Sequence, residues 1–128
     1  MSQINVLIFV ESRYKLNRKR VRQTVKRVTG DRHSGSDVEV SVAFVGDRKM
    51  RLLNKKYRNK EGTTNVLSFP LSEGKSTKMP EGVTRLGDIV ISYPQVIKES
   101  AEQDKMVDER IEELVEHSML HLLGLHHE

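Results

Sequence analysis

Apolar and polar residues follow one of two periods in eight stretches of the chain. Apolar residues are continuous, or alternate with polar ones, in four stretches that we expect to be strands: residues 3–9, 38–45, 65–69 and 86–92. They return every three or four positions in four stretches that we expect to be helices: residues 16–29, 47–57, 94–103 and 107–123. This order predicts a single α+β domain over residues 1–128, with a four-stranded mixed sheet packed by about five helices.

Residues with special backbone preferences mark the ends of these stretches. Asp47 is suited to cap the second helix, and Pro94 is suited to the first position of the third. Gly30 and Gly124 are expected to end the first and the last helix. Residues 71–85 combine turn-forming Gly and Pro with polar side chains, which predicts a mobile loop.

Composition narrows the class of protein. A chain of 128 residues is long enough for a hydrophobic core, and the absence of cysteine excludes disulfides and thiolate metal sites. No apolar run is long enough to span a membrane. The first residues, MSQINVLIFV, resemble a strand more than a signal peptide. We therefore expect a cytoplasmic protein that does not interact with membranes.

The net charge of +4 is modest, but the charges are unevenly distributed. Residues 13–32 carry nine Lys/Arg and one acid, whereas residues 99–116 carry eight acids and two bases. This pattern predicts a polarised surface with a basic lobe beside an acidic one. The basic lobe could attract a phosphate backbone or simply face solvent.

Four of the five histidines lie in the stretch HSMLHLLGLHHE, residues 117–128. His117 and His121 are four residues apart on an expected helix, so both imidazoles should share one face, about one turn apart. Gly124 permits a positive φ that would turn the chain back, bringing His127 round as a third ligand. The spacing H-x3-H-x2-G-x2-H therefore predicts a metal site at the end of the last helix.

Three imidazole ligands would leave a coordination position open, as in catalytic metal sites, and His126 is an alternative third ligand. Imidazoles suit Zn, Ni, Cu and Fe alike. The spacing also matches the ligand pattern of metzincin proteases, H-E-x-x-H-x-x-G-x-x-H. Ser118 stands where those enzymes carry their general base, and Glu116 should point about 100° away. The pattern thus predicts a metal site without the base of a protease.

Three motifs together resemble those of the YbeY endoribonuclease family. HSMLHLLGLHH is similar to the family signature H-G-x-L-H-L-x-G-Y-D-H, and YRNKEGTTNVLSFP (57–70) to Y-R-x-x-x-x-P-T-D-V-L-S-F-P. LGDIVIS (86–92) is similar to the family strand L-G-D-I-x-I-S. The motifs follow the family order, and the resemblance covers essentially the whole chain.

The resemblance implies a metal-dependent endoribonuclease of single-stranded RNA that acts in ribosomal RNA maturation and ribosome quality control. It implies one divalent metal ion, usually zinc, held by His117, His121 and His127, and it identifies Arg58 with the arginine that the family requires. It also implies the ribosome or ribosomal proteins as partners. The oligomeric state is left open.

Several positions depart from the family pattern. Ser118 replaces glycine, Leu125 replaces tyrosine, His126 replaces aspartate and Thr63 replaces proline. Family members generally continue with a helix after the third histidine, so we expect the ordering of this end of the chain to depend on metal.

Two residues and two functions remain open at this stage. Ser68 is expected to be a hydrogen-bonding core residue, whereas Asp88 could orient a ligand histidine or hold its own strand. A non-catalytic ribosome-associated factor with a structural metal is one alternative function. A metallopeptidase is the other, and the missing glutamate weighs against it.

Overall fold

The computed structural model describes residues 3–30, 37–71 and 82–125. These residues form four strands: β1 (Ile4–Val10), β2 (Asp37–Val45), β3 (Val66–Pro70) and β4 (Val83–Ser92). The described residues also form four helices: α1 (Arg18–Thr29), α2 (Asp47–Arg58), α3 (Tyr93–Gln103) and α4 (Val107–Leu122). The predicted element order and the single α+β domain are confirmed for these residues.

The strands form one mixed sheet in the order β1-β2-β4-β3. β2 pairs in parallel with both β1 and β4, whereas the edge strand β3 runs antiparallel to β4. Glu39 pairs with Arg85 and Val40 with Gly87, so Leu86 is an extra residue in β4. This bulge interrupts the side-chain alternation of β4 where the strand enters the centre of the sheet.

The two faces of the sheet are covered by different helices. Alternate residues of β2, Val38, Val40, Val42 and Phe44, are buried in the main core together with residues of α1 and α4. A smaller cluster on the other face joins Met50 of α2 to Val45 and Leu67. Period-two alternation therefore decides which face each strand residue presents to which helix.

The structure corrects three expectations about the elements. There are four helices in the described residues rather than about five, one for each of the four stretches with helical spacing. β4 begins at Val83, inside the stretch expected to be a loop, because that part pairs with β2. The cap position of α2 is Gly46, and Asp47 is the first helical residue.

The two oppositely charged segments lie side by side. Arg20 Nη2 of α1 is 3.0 Å from Glu112 Oε1 of α4, and Arg27 Nη1 is 3.0 Å from Glu116 Oε2. The backbone N–H of Asn17 also donates to Asp108 Oδ1. The basic segment is therefore partly neutralised by the acidic one, which weakens the expected polarisation.

None of the described helices combines the length and the apolar character that crossing a membrane would demand.

Candidate functional site

His117 and His121 both lie on α4, one turn apart, as the sequence predicts. His117 is exposed, and His121 is half-buried with its Nδ1 shielded from solvent. The remaining predicted ligand, His127, and its alternative, His126, lie outside the described residues. Within residues 3–30, 37–71 and 82–125, no three His, Cys, Asp or Glu side chains cluster as a metal site.

The helix α4 ends in the turn that the glycine predicts. Gly124 has a φ of +74°, which favours glycine. The N–H of Gly124 donates to the carbonyl of His121 at 3.1 Å, and that of Leu125 donates to Leu120 at 2.8 Å. These two bonds are those of a Schellman motif. The chain therefore changes direction directly after the turn that carries His121.

Close contact with the sheet holds the end of α4 in place. A Cβ added at Gly87 would lie 2.9 Å from Leu122 Cδ2 and 2.3 Å from the carbonyl oxygen of Phe69. Only glycine lets β3 and α4 approach β4 this closely. The glycine of the LGDIVIS motif thus sets the distance between the sheet and the residue that follows His121.

Ser68 and Asp88 lie on opposite faces of the sheet. Ser68 pairs with Ile89, a residue of the main core, so it is on the face that α4 covers. Asp88 follows Gly87 on the other face, where its Oδ1 accepts a hydrogen bond from Ser41 Oγ at 2.5 Å. Its second contact is with Arg85 at 3.5 Å. Asp88 therefore holds neighbouring strands together and faces away from the helix of His121.

Arg58, the predicted catalytic residue, is exposed at the C-terminal end of α2. The neighbouring Tyr57 packs edge-on against Phe69, with ring centroids 5.1 Å apart. Phe69 pairs with Asp88, the residue after Gly87. α2 and α4 therefore end beside neighbouring residues of β4, on opposite faces of the sheet, near the edge strand β3.

Asp47 anchors the other end of α2, a role that the sequence did not reveal. Its Oδ1 accepts hydrogen bonds from Ser92 Oγ at 2.9 Å, Thr63 Oγ1 at 3.1 Å and Gln95 Nε2 at 3.2 Å. Burial alone would raise the pKa of Asp47, but these three hydrogen bonds, with Arg51 nearby, lower it. One carboxylate thus joins α2 to β4, to α3 and to the segment before β3.

Two of the departures from the family pattern have visible structural consequences. Thr63 makes a side-chain hydrogen bond to Asp47 that a proline could not make. Ser118 is fully buried on the inner face of α4, and its hydroxyl has no hydrogen-bond partner among the described residues. Leu125 is 38% exposed. Ser118 and Leu125 therefore lie on either side of the turn that carries His121, whereas Thr63 lies beside the start of α2.

Glu116 is turned away from the role of a general base. Its carboxylate is engaged with Arg27 of α1, on a partly exposed surface. This agrees with the expectation that a helix directs Glu116 and His117 to different sides.

Comparison with known proteins gives a consistent assignment. A family model described as Endoribonuclease YbeY matches residues 8–128. A protein named Endoribonuclease YbeY from Azoarcus sp. (strain BH72) is 45% identical over 93 residues, which cover 73% of this chain and 37% of that protein. Its namesake from Thermoanaerobacter sp. (strain X514) is 40% identical over 116 residues, which cover 84% of this chain and 73% of that protein.

The chain spans 46% of a third protein of that name, from Anaeromyxobacter sp. (strain Fw109-5). It therefore spans less than half of both the Azoarcus and the Anaeromyxobacter proteins. A Thermotoga maritima protein whose structure was determined in solution has a similar fold, with a TM-score of 0.62 and 24% identity. That likeness covers 96% of this chain and 75% of the other. The family match over nearly the whole chain means that this protein belongs to the endoribonuclease YbeY family.

Proposed function

We propose that this protein is a metal-dependent endoribonuclease that cleaves single-stranded RNA and acts in ribosomal RNA maturation and ribosome quality control. Membership of the endoribonuclease YbeY family carries the proposal. It is supported by two histidines one turn apart on α4, His117 and His121, which are followed directly by a reversal of the chain. We place this function in the cytoplasm, with the ribosome or its proteins as partners.

His117, His121 and His127 would hold one divalent metal ion, with zinc as our choice and His126 as the alternative to His127. The donor set fits such an ion, because His117 and His121 are one turn apart and the chain reverses directly after them. A bound divalent ion would supply positive charge and lower the pKa of a water ligand.

Arg58 would bind the scissile phosphate. Its planar guanidinium can donate two parallel hydrogen bonds to phosphate oxygens. It would thereby hold the phosphorus in place and stabilise the negative charge that develops on its oxygens. Either water or the RNA 2′-hydroxyl could be the nucleophile, and the product ends distinguish them, since only 2′-hydroxyl attack leaves a 2′,3′-cyclic phosphate.

The first experiment compares cleavage of a labelled single-stranded RNA by tag-free wild type, His121→Ala and His33→Ala. His33 is the histidine outside the C-terminal stretch and serves as the matched control. We expect His121→Ala to lose both cleavage and bound metal, and His33→Ala to keep both. Equal cleavage by wild type and His121→Ala would overturn the proposed site.

A second comparison tests Arg58. We expect Arg58→Ala to lose cleavage while metal content stays at the wild-type level, whereas Arg22→Ala, on the exposed face of α1, should retain cleavage. Full activity of Arg58→Ala would remove it from the proposed chemistry.

The alternative of a non-catalytic ribosome-associated factor with a structural metal makes a different prediction. Metal would raise the unfolding temperature of the wild type, but no RNA would be cleaved. The metallopeptidase alternative requires peptide cleavage that is lost on chelation, and the pairing of Glu116 with Arg27 gives it no support.

A further inference from the structure

The outer face of α2 and the residues that follow it are strongly basic. Residues 48–60 contain seven Lys/Arg and no acid. All seven side chains are exposed: Arg48, Lys49, Arg51, Lys55, Lys56, Arg58 and Lys60. The single acid of the helix, Asp47, accepts hydrogen bonds from Ser92, Thr63 and Gln95 at the other end.

Four of these cations form one continuous stripe. Arg48, Arg51, Lys55 and Arg58 follow one another at intervals of three, four and three residues, which places them on one side of the helix. The stripe is about 15 Å long, enough to face about four nucleotides of a stacked strand at about 3.4 Å each. It ends at Arg58, which we have assigned to the scissile phosphate.

The other basic segment of the chain differs in its surroundings. α1 carries six cations, but α4 packs beside it with five carboxylates. Two of the α1 cations, Arg20 and Arg27, are paired directly with Glu112 and Glu116. A phosphate backbone approaching α1 would therefore also be repelled by the carboxylates of α4. α2 lies on the opposite face of the sheet from these carboxylates.

Two apolar side chains of α2 are also exposed. Leu52 is 64% exposed and Tyr57 is 56% exposed, although Tyr57 keeps one edge against Phe69. Lys56 Nζ lies 5.2 Å from the centroid of the Tyr57 ring. Unpaired bases can stack on exposed aromatic rings of this kind.

We propose that the stripe formed by Arg48, Arg51 and Lys55 binds the phosphate backbone of single-stranded RNA and leads the strand to Arg58. This proposal rests on the proposed function. It assigns RNA guidance to α2, whereas the sequence left open whether the basic segment of α1 attracts a phosphate backbone or faces solvent.

Glu61 provides an internal test of the proposal. Its carboxylate is 2.8 Å from Lys55 Nζ, and both side chains are largely exposed. An RNA phosphate would compete with this carboxylate for Lys55. Replacing Glu61 with glutamine should therefore strengthen RNA binding, which a purely structural pair would not do.

The experiment compares two matched triple variants of the full chain. One replaces Arg48, Arg51 and Lys55 with glutamine, and the other replaces Arg18, Lys19 and Arg22 of α1 with glutamine. Each change removes three exposed positive charges and inserts the same helix-compatible side chain. Binding of a labelled uridine-rich RNA is measured against salt concentration in a His121→Ala background, and cleavage is measured separately with His121 intact.

We expect the α2 variant to bind the RNA at least ten times more weakly and to lower the salt slope by about 2, since each phosphate contact contributes about 0.7. The α1 variant should change both quantities much less, and Glu61→Gln should tighten binding. If the α2 triple variant does not fold, Arg51→Gln and Glu61→Gln provide the same comparison singly.

Equal losses in the two triple variants would overturn the proposal, because net charge rather than position would then decide binding. Binding of the same variants to anionic lipid vesicles is also measured. If the α2 variant loses binding to the vesicles but keeps its binding to RNA, the proposal is wrong. Absence of cleavage by the wild type contradicts the proposed function alone, since the binding comparison does not depend on turnover.

Discussion

Leu122 of α4 packs directly on Gly87 of β4, so closely that a Cβ at position 87 would lie 2.9 Å from Leu122 Cδ2. The φ of Gly87 is +148°, a value that also disfavours any other residue. This contact positions the turn of α4 that carries His121. A glycine without reactive atoms therefore controls where a proposed metal ligand lies.

We expect Gly87→Ala to destabilise the protein by about 3 kcal/mol or more, because backbone and side chain would both have to move. Gly62→Ala is the matched control, since Gly62 also has a positive φ but open space around it. The free energy of unfolding of this control variant should fall by only about 1 kcal/mol, through backbone strain. Urea unfolding measures both, and similar losses in the two variants would show that the Leu122 contact contributes little.

Ser118→Ala should stabilise the protein by about 1 kcal/mol, because the buried hydroxyl has no hydrogen-bond partner among the described residues. The unfolding temperature should rise by about 3–5 °C. Ser118→Gly, which restores the family residue, should instead lower stability through its poorer helix propensity. A destabilised alanine variant would indicate that the hydroxyl does have a partner.

Asp47→Asn should lower the free energy of unfolding by about 1 kcal/mol at neutral pH, because hydrogen bonds to a carboxylate are stronger than those to an amide. The pKa of Asp47 is lowered in the folded state, so its contribution is present above the unfolded pKa of about 3.9 and is lost as pH falls through the folded value. The difference between wild type and variant should therefore shrink below about pH 4. A difference that stays constant down to acid pH would mean that the charge is not what stabilises this junction.

The ion pair between Arg20 and Glu112 can be tested by swapping the two charges through mutation. Arg20→Glu should destabilise the protein, because two carboxylates would face each other between α1 and α4. Adding Glu112→Arg should restore much of the loss, and added salt should reduce the difference. The hydrogen bond from Arg20 holds the pKa of Glu112 low, so the benefit of the native pair should also disappear as pH falls through that pKa. Failure of the double variant to recover would exclude a direct charge interaction.

The sequence by itself determined the order of the elements and some of their ends, because periodicity and backbone preference act over a few neighbouring residues. The alternation of residues 38–45 predicted a strand with two faces, and Gly124 predicted the end of α4. His117 and His121 share a helix face for the same local reason. Counting Lys and Arg in residues 48–60 would also have located the basic face of α2.

Only the tertiary structure decided which charged residues pair across the fold and which side chains lie on the same face of the sheet. Arg20 and Glu112 are far apart in sequence, so their mutual neutralisation depends on how α1 packs against α4. The face occupied by Asp88 depends on the bulge at Leu86, which no local pattern revealed. The association of Asp47 with Ser92 and Gln95 likewise depends on the pairing of β2 with β4. These are contacts across the chain, and their geometry is set by packing rather than by the preferences of adjacent residues.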